Sequence, residues 1–177
     1  RDELGRHLRD LRLSVIDACN LRCTYCMPQN DDAAPIRFLK RRQLLSLTEI
    51  DRLVRSFVEL GVRKIRLTGG EPLMRDDLVE IVRQLAANPA IDDLALTTNG
   101  YWLADQAAAL HAAGLQRLTI SFDTLRPDRA VDLTGQPLDP QRILDGIQAA
   151  AAVGFKQIKV NVVVIRGRND DELLAMA

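Results

Sequence analysis

All three cysteines of this 177-residue chain lie within the eight residues CNLRCTYC, at Cys19, Cys23 and Cys26. Disulfides consume cysteines in pairs, and a closed structural zinc site takes four ligands, so three clustered thiols point to other chemistry. The spacing C-x3-C-x2-C sets three soft donors on one short loop, where thiolates can wrap a corner of an iron–sulfur cubane. Zinc is the competing reading, and it requires a fourth ligand. The only histidines are His7 and His111. His7 falls at the far end of the strand leading to Cys19 and His111 falls within a helix, so neither is well placed. Cluster, zinc and unliganded thiols all stay open on spacing alone.

Other polar residues gather in short motifs. Gly69-Gly70-Glu71-Pro72 permits close backbone approach at its glycines. It also offers a carboxylate, Glu71, able to grip an ammonium group. The plainer reading of this motif is a turn from strand to helix. Thr97, in the run Thr97-Thr-Asn-Gly100, and Ser121, in Ser121-Phe-Asp123, present hydroxyls either to a ligand or merely to solvent.

Each of these motifs falls where an expected strand ends. Alternation marks strands over residues 11–16, 64–68, 94–98, 117–123 and 158–165. Helices are expected between them. The first opens on the capping box Ser46-Leu-Thr-Glu49 and ends near Gly61. Others cover 76–87 and 103–113, another runs from Asp139-Pro140 to Gly154, and Asn169 is placed to cap a further one. Strands alternating with helices mean βαβ units and a parallel sheet in one α/β domain over residues 1–177. One face of each strand is apolar, as in Leu11, Leu13 and Val15, while the other carries residues such as Arg12, Arg66, Thr97, Thr119, Ser121 and Lys159. A doubly wound sheet, covered on both faces, calls for strands apolar throughout. A partial parallel (β/α) barrel with a polar interior fits better, and its active site belongs at the carboxyl ends of the strands. Three cations, Arg12, Arg66 and Lys159, are then expected to share that interior. They need either the carboxylates of Asp17, Glu71 or Asp123, or an anionic ligand such as a phosphate.

The bulk properties exclude rather than identify. Lys plus Arg and Asp plus Glu both total 24, so the overall field suggests neither nucleic acid nor an acidic membrane surface. No apolar run approaches a membrane span, and residues 1–13 are charged throughout, unlike a secretory signal. Clustered thiols suit a reducing cytoplasmic compartment. The chain has no initiator Met and stops within an expected helix, so it is expected to be part of a longer protein.

Taken together, the motifs carry a resemblance. CNLRCTYC, with an aromatic residue before the last cysteine, resembles the signature of the radical S-adenosylmethionine (SAM) enzymes, and GGEP resembles their methionine-binding motif. DLRLSVIDACNLRCTYCMP, LLSLTEI, KIRLTGGEPLMRDDL, LTTNG, ISFDTL and KVNVVVIRGRNDDE occur in the same order as in the GTP 3′,8-cyclases, which begin molybdenum cofactor biosynthesis. The resemblance covers essentially the whole chain. It implies an incomplete TIM-like barrel in which Cys19, Cys23 and Cys26 hold three irons of a [4Fe-4S] cluster and SAM occupies the fourth. Electron transfer then cleaves SAM to a 5′-deoxyadenosyl radical, which removes the 3′ hydrogen of GTP before C3′ attacks C8. It further implies SAM contacts at Tyr25, Gly69, Gly70, Glu71 and Ser121, and GTP contacts at Arg12, Arg66, Thr97 and Lys159. An electron donor such as flavodoxin or ferredoxin is implied, and a homodimer is allowed.

The chain departs from the family pattern in three places. Ala18 precedes the first cysteine where an Arg is usual, and residues 29–37 (QNDDAAPIR) form a longer, more polar insertion than is usual. The family's sixth strand, and the three further cysteines that hold a second [4Fe-4S] cluster, are not in these 177 residues. The expectation is a lyase-type radical core that binds a cluster and cleaves SAM without completing the cyclisation. A radical SAM enzyme acting on a peptide and a zinc-stabilised binding module without catalysis are the alternatives.

Overall fold

The computed structural model describes residues 3–27 and 37–177, so the insertion over 29–37 lies, apart from Arg37, outside the described residues. Five strands, β1 (Asp10–Ser14), β2 (Lys64–Thr68), β3 (Asp93–Thr98), β4 (Arg117–Ser121) and β5 (Gln157–Asn161), form one parallel sheet in the order β1-β2-β3-β4-β5. A doubly wound sheet reverses its order at a switch point. This one never reverses, which is the topology of an arc of a (β/α) barrel. Because β1 and β5 do not pair, the arc is open.

Helices α1 (Leu47–Glu59), α2 (Leu78–Ala86), α3 (Leu103–Ala112), α4 (Pro127–Thr134), α5 (Pro140–Ala152) and α6 (Leu173–Met176) complete the chain. The Ser46–Glu49 capping box forms in both directions, with Glu49 N donating to Ser46 Oγ at 3.3 Å and Ser46 N donating to Glu49 Oε2 at 2.8 Å. Asp139 caps α5 by accepting from Gln141 N at 2.9 Å, with Pro140 at the first helical position. The apolar strand face buries Leu13, Ile65, Leu67, Leu94, Leu96, Leu118 and Ile120 against Ile50 and Val54 of α1 and the stripe Leu78, Ile81, Val82, Leu85 of α2. The core therefore lies on one side of the sheet, between the strands and the helices.

Three local expectations are corrected. Helix α4 was not anticipated, although Pro127 at its first position is a start signal. Strand β5 ends at Asn161 rather than at 165, because β4 offers no further partner after Phe122 N donates to Asn161 O at 3.0 Å. Beyond that point side chains satisfy the backbone: Val163 N donates to Asp123 Oδ1 at 2.8 Å and Ile165 N to Asn169 Oδ1 at 2.7 Å. For the same reason Asn169, though it stands at the N-cap of the 3-10 turn Asp170–Glu172 that leads into α6, makes no side-chain cap bond. It is fully buried, and its Nδ2 donates to Asp123 O at 2.8 Å and Val163 O at 2.9 Å.

Candidate active site

Parallel register sorts the polar residues by face, since paired residues on adjacent strands point the same way. Arg12 pairs with Arg66 and Arg66 with Ala95, two residues before Thr97; Thr97 pairs with Thr119 and Thr119 with Lys159. Arg12, Arg66, Thr97, Thr119, Ser121 and Lys159 therefore all point away from the core, into the concave face. Arg66, half-buried, donates through Nη1 to Thr119 Oγ1 at 2.8 Å and Thr97 Oγ1 at 3.3 Å. Arg12 and Lys159 are exposed, and among the described residues none of the three cations forms an ion pair. A fourth cation on this face, Arg117, was not singled out from the sequence; Asp93 neutralises it, with Arg117 Nε donating to Asp93 Oδ1 at 2.7 Å.

None of the carboxylates able to neutralise the trio pairs with it among the described residues. Glu71 is 1% exposed and accepts from Leu73 N at 2.9 Å, Thr98 Oγ1 at 2.7 Å and Asn99 N at 2.7 Å. Of roughly four lone-pair positions on a carboxylate, this leaves one for any ligand. Asp123 accepts from the Tyr25 hydroxyl and from Val163 N, and Asp17 Oδ2 accepts from Leu39 N at 2.8 Å. Ser121 ends β4 with its side chain exposed.

Two glycines and one helix position the cysteine loop. A Cβ on Gly69 would lie 2.2 Å from Ile16 O, and one on Gly70 would lie 2.2 Å from Ala18 O. Only residues without a side chain let the segment after β2 run against residues 16–18, where Gly70 N donates to Ile16 O at 2.7 Å and Glu71 N to Ala18 O at 2.8 Å. The GGEP glycines thus seat the residues leading into Cys19. On the other side, Arg22 N donates to Thr134 O at 2.7 Å and Thr24 N to Leu133 O at 3.2 Å, so the last turn of α4 holds the backbone between the cysteines. Asn99 Nδ2 donates to Asn20 Oδ1 at 2.7 Å, joining the loop to the end of β3. The sequence alone assigns no role to Asn20, Asn99 or α4, and it offers Asp123 as a partner for the cations rather than for Tyr25 and Val163. The motif around Thr97 contained the signal for Asn99, but a polar side chain does not disclose its partner.

Cys19 and Cys23 are half-buried and Cys26 is exposed, all three as free thiols. Burial pushes the Cys19 thiol up and the Cys23 thiol to about 11, with the neighbouring cysteines adding to the rise through mutual repulsion. These thiols therefore stay protonated near neutrality until a metal displaces the protons. Among the described residues, no three His, Cys, Asp or Glu side chains converge on a point suited to one metal ion. Three soft thiols on one short loop are the donor set of an iron–sulfur cubane, which takes one thiolate at each iron. No described helix is long and apolar enough to cross a membrane.

Comparison with known proteins agrees with this arrangement. GTP 3′,8-cyclase 3 of Mycobacterium bovis is 52% identical over 177 residues, covering 98% of this chain and 46% of that protein. The GTP 3′,8-cyclase of Acidothermus cellulolyticus is 50% identical, covering 100% of this chain and 49% of that protein. The chain thus spans about half the length of the curated relatives it matches. Among solved structures, Streptococcus suis SuiB bound to S-adenosylmethionine shares the fold, with a TM-score of 0.73 at 20% identity over 94% of this chain and 37% of that one. The family model described as Radical SAM superfamily matches residues 13–177. An arc of parallel strands, three thiols at its carboxyl edge and a family match over nearly its whole length make this chain a member of the Radical SAM superfamily.

Proposed function

We propose that the chain carries the radical core of a GTP 3′,8-cyclase, with Cys19, Cys23 and Cys26 holding a [4Fe-4S] cluster, and SAM and GTP sharing the concave face. When bound, the reduced cluster and SAM supply a 5′-deoxyadenosyl radical able to take the ribose 3′ hydrogen of GTP. The observation that carries the substrate assignment is the trio Arg12, Arg66 and Lys159. Three cations project from three strands onto one face, and none is neutralised by a carboxylate among the described residues. A triphosphate answers that arrangement through charge-assisted hydrogen bonds, each of about 1.5–3 kcal/mol. Thr97, bonded to Arg66, orients the guanidinium and adds a hydroxyl toward the nucleotide. Tyr25, Gly69, Gly70, Glu71 and Ser121 line the SAM side, where Glu71 keeps one lone pair for the methionyl ammonium while its other bonds hold the loop ends together. Names and identities of the relatives support the same reading.

The test is anaerobic reconstitution with iron and sulfide, followed by SAM cleavage under dithionite and GTP titration by calorimetry. Arg66→Ala and Lys159→Ala are each expected to weaken GTP binding by roughly ten- to a hundredfold, the equivalent of one charge-assisted contact. GTP binding that survives both changes removes the phosphate assignment. The 177 residues are expected to release 5′-deoxyadenosine without making cyclised nucleotide, and detection of that product would refute the second half of the expectation.

A further inference from the structure

We propose that Arg37, Lys40 and Arg42, beside the cysteine loop, form the docking surface for a small acidic protein that delivers single electrons to the iron–sulfur site. This inference rests on the proposed function, which needs a reductant but assigns it no surface. In a chain whose charges balance at 24 each, four of the six residues over 37–42 (RFLKRR) are cations. Arg41 is neutralised by Asp76 at 2.8 Å. Of the other acids nearby, Asp77 pairs with the buried Arg75 at 2.7 Å, Glu49 bonds within the α1 capping box, and Asp17 accepts from Leu39 N through Oδ2 while its Oδ1 is buried away from the exposed cations. Arg37, Lys40 and Arg42 are exposed and make no ion pair among the described residues.

Position separates this segment from an ordinary solvated charge run. Phe38 lies under the Arg22 guanidinium at 4.9 Å, and Leu39 N donates to Asp17 Oδ2 at 2.8 Å. Arg22 sits between Cys19 and Cys23, and Asp17 is two residues before Cys19, so the basic segment is bound directly to the loop that would carry the cluster. Next to it opens a groove of about 850 Å³ lined by Leu39, Leu44, Leu45 and Met74. Its walls carry Arg41 and Arg42 together with Glu49, Asp76 and Asp77, the three acids already bonded to Ser46, Arg41 and Arg75. Leu39, Leu45 and Met74 are 49%, 39% and 37% exposed. An apolar floor with a charged rim is the anatomy of a protein interface, and weak redox encounters use small ones. Charge complementarity then selects an acidic partner and speeds its arrival. No aromatic side chain lines the groove for bases to stack on, which disfavours a single-stranded nucleic acid. In the redox step one electron leaves the donor, taking a flavin hydroquinone to its semiquinone, and the iron–sulfur group is reduced by that one electron.

The experiment uses the reconstituted 177-residue chain and flavodoxin as the probe, under anaerobic conditions. Calorimetry measures binding at low and high salt, and stopped-flow bleaching measures reduction by flavodoxin hydroquinone beside reduction by dithionite. The charge-reversed variant Arg37→Glu/Lys40→Glu/Arg42→Glu is compared with Lys156→Glu, at the opposite end of the sheet. Wild type is expected to bind in a salt-sensitive manner. The triple variant should lose about ten- to a hundredfold in association rate. Its iron content and its reduction by dithionite should match wild type, and Lys156→Glu should behave as wild type throughout. Wild-type affinity in the triple variant, equal weakening by Lys156→Glu, no flavodoxin binding by wild type, or preference for a single-stranded oligonucleotide would each overturn the docking surface. Failure of the proposed function shows separately, as a chain that takes up no iron and cleaves no SAM with dithionite.

Discussion

Glu71 shows how far a residue's type discloses its work. The sequence marks it as a carboxylate beside two glycines, suited to an ammonium group. The structure adds three donors, from Leu73, Thr98 and Asn99, that make it a bolt between the ends of β2 and β3. Burial outweighs those hydrogen bonds and holds its carboxyl above the ordinary 4.5. The folded chain therefore binds this proton more tightly than the unfolded chain does. The stability tied to it is fully present below about pH 4.5 and is lost as pH rises through the raised folded value. Glu71→Gln should abolish that slope in urea unfolding measured at a series of pH values. It should also lower stability by about 1–3 kcal/mol, because an amide NH2 replaces an acceptor facing N–H donors. A slope that persists in the variant would assign the titration to another group.

At the scale of elements, the cysteine loop owes its shape to neighbours distant in sequence. Helix α4 ends at Gly135, whose φ of +65° closes the helix by the left-handed turn that glycine adopts at least cost. A Cβ there would also lie 2.5 Å from Arg22 O, between two of the cysteines. Gly135→Ala is expected to cost about 1–2 kcal/mol in backbone strain. For a domain of this size that is a fall of roughly 2–8 °C in Tm. Gly135→Asn separates the two effects, since Asn tolerates the left-handed conformation yet carries a Cβ. It should lower Tm by less than Gly135→Ala does, because only the contact with Arg22 O remains, while lowering iron uptake on reconstitution to the same extent. Full iron uptake in the Asn variant would show that contact with Arg22 does not set the loop. The capping boxes and helix faces were legible beforehand because their causes are local: a side chain satisfies a backbone group within four residues, or a stripe recurs at the helical period. The end of β5 was not, because a strand stops where its partner stops.

For the whole molecule, the combination of zero net charge and an open arc sets its solution behaviour. Val160 of β5 is 39% exposed, and Val163 and Val164 in the segment after the strand are 41% and 48% exposed, with Leu174 of α6 at 94%. Unpaired strand edges with apolar side chains invite further pairing, and a chain without net charge does not repel its copies. The 177-residue chain should be least soluble near pH 7 in polyethylene glycol precipitation. Val164→Lys should raise that solubility by placing a charge in the exposed apolar stretch that follows the edge strand. Equal solubility of the two proteins would locate the sticking surface elsewhere.

Composition, spacing and periodicity by themselves determined the α/β class, the parallel strands, the one-sided core and the three clustered thiols, because each follows from side chains only a few positions apart. Tertiary structure alone decided that the strand order never reverses, and that none of the carboxylates able to neutralise Arg12, Arg66 and Lys159 pairs with them among the described residues. It also decided that α4 and Asn99 hold the cysteine loop. Those facts depend on which groups meet across separations such as the 79 residues between Asn20 and Asn99. Packing of the whole core sets such meetings, and no local pattern records them.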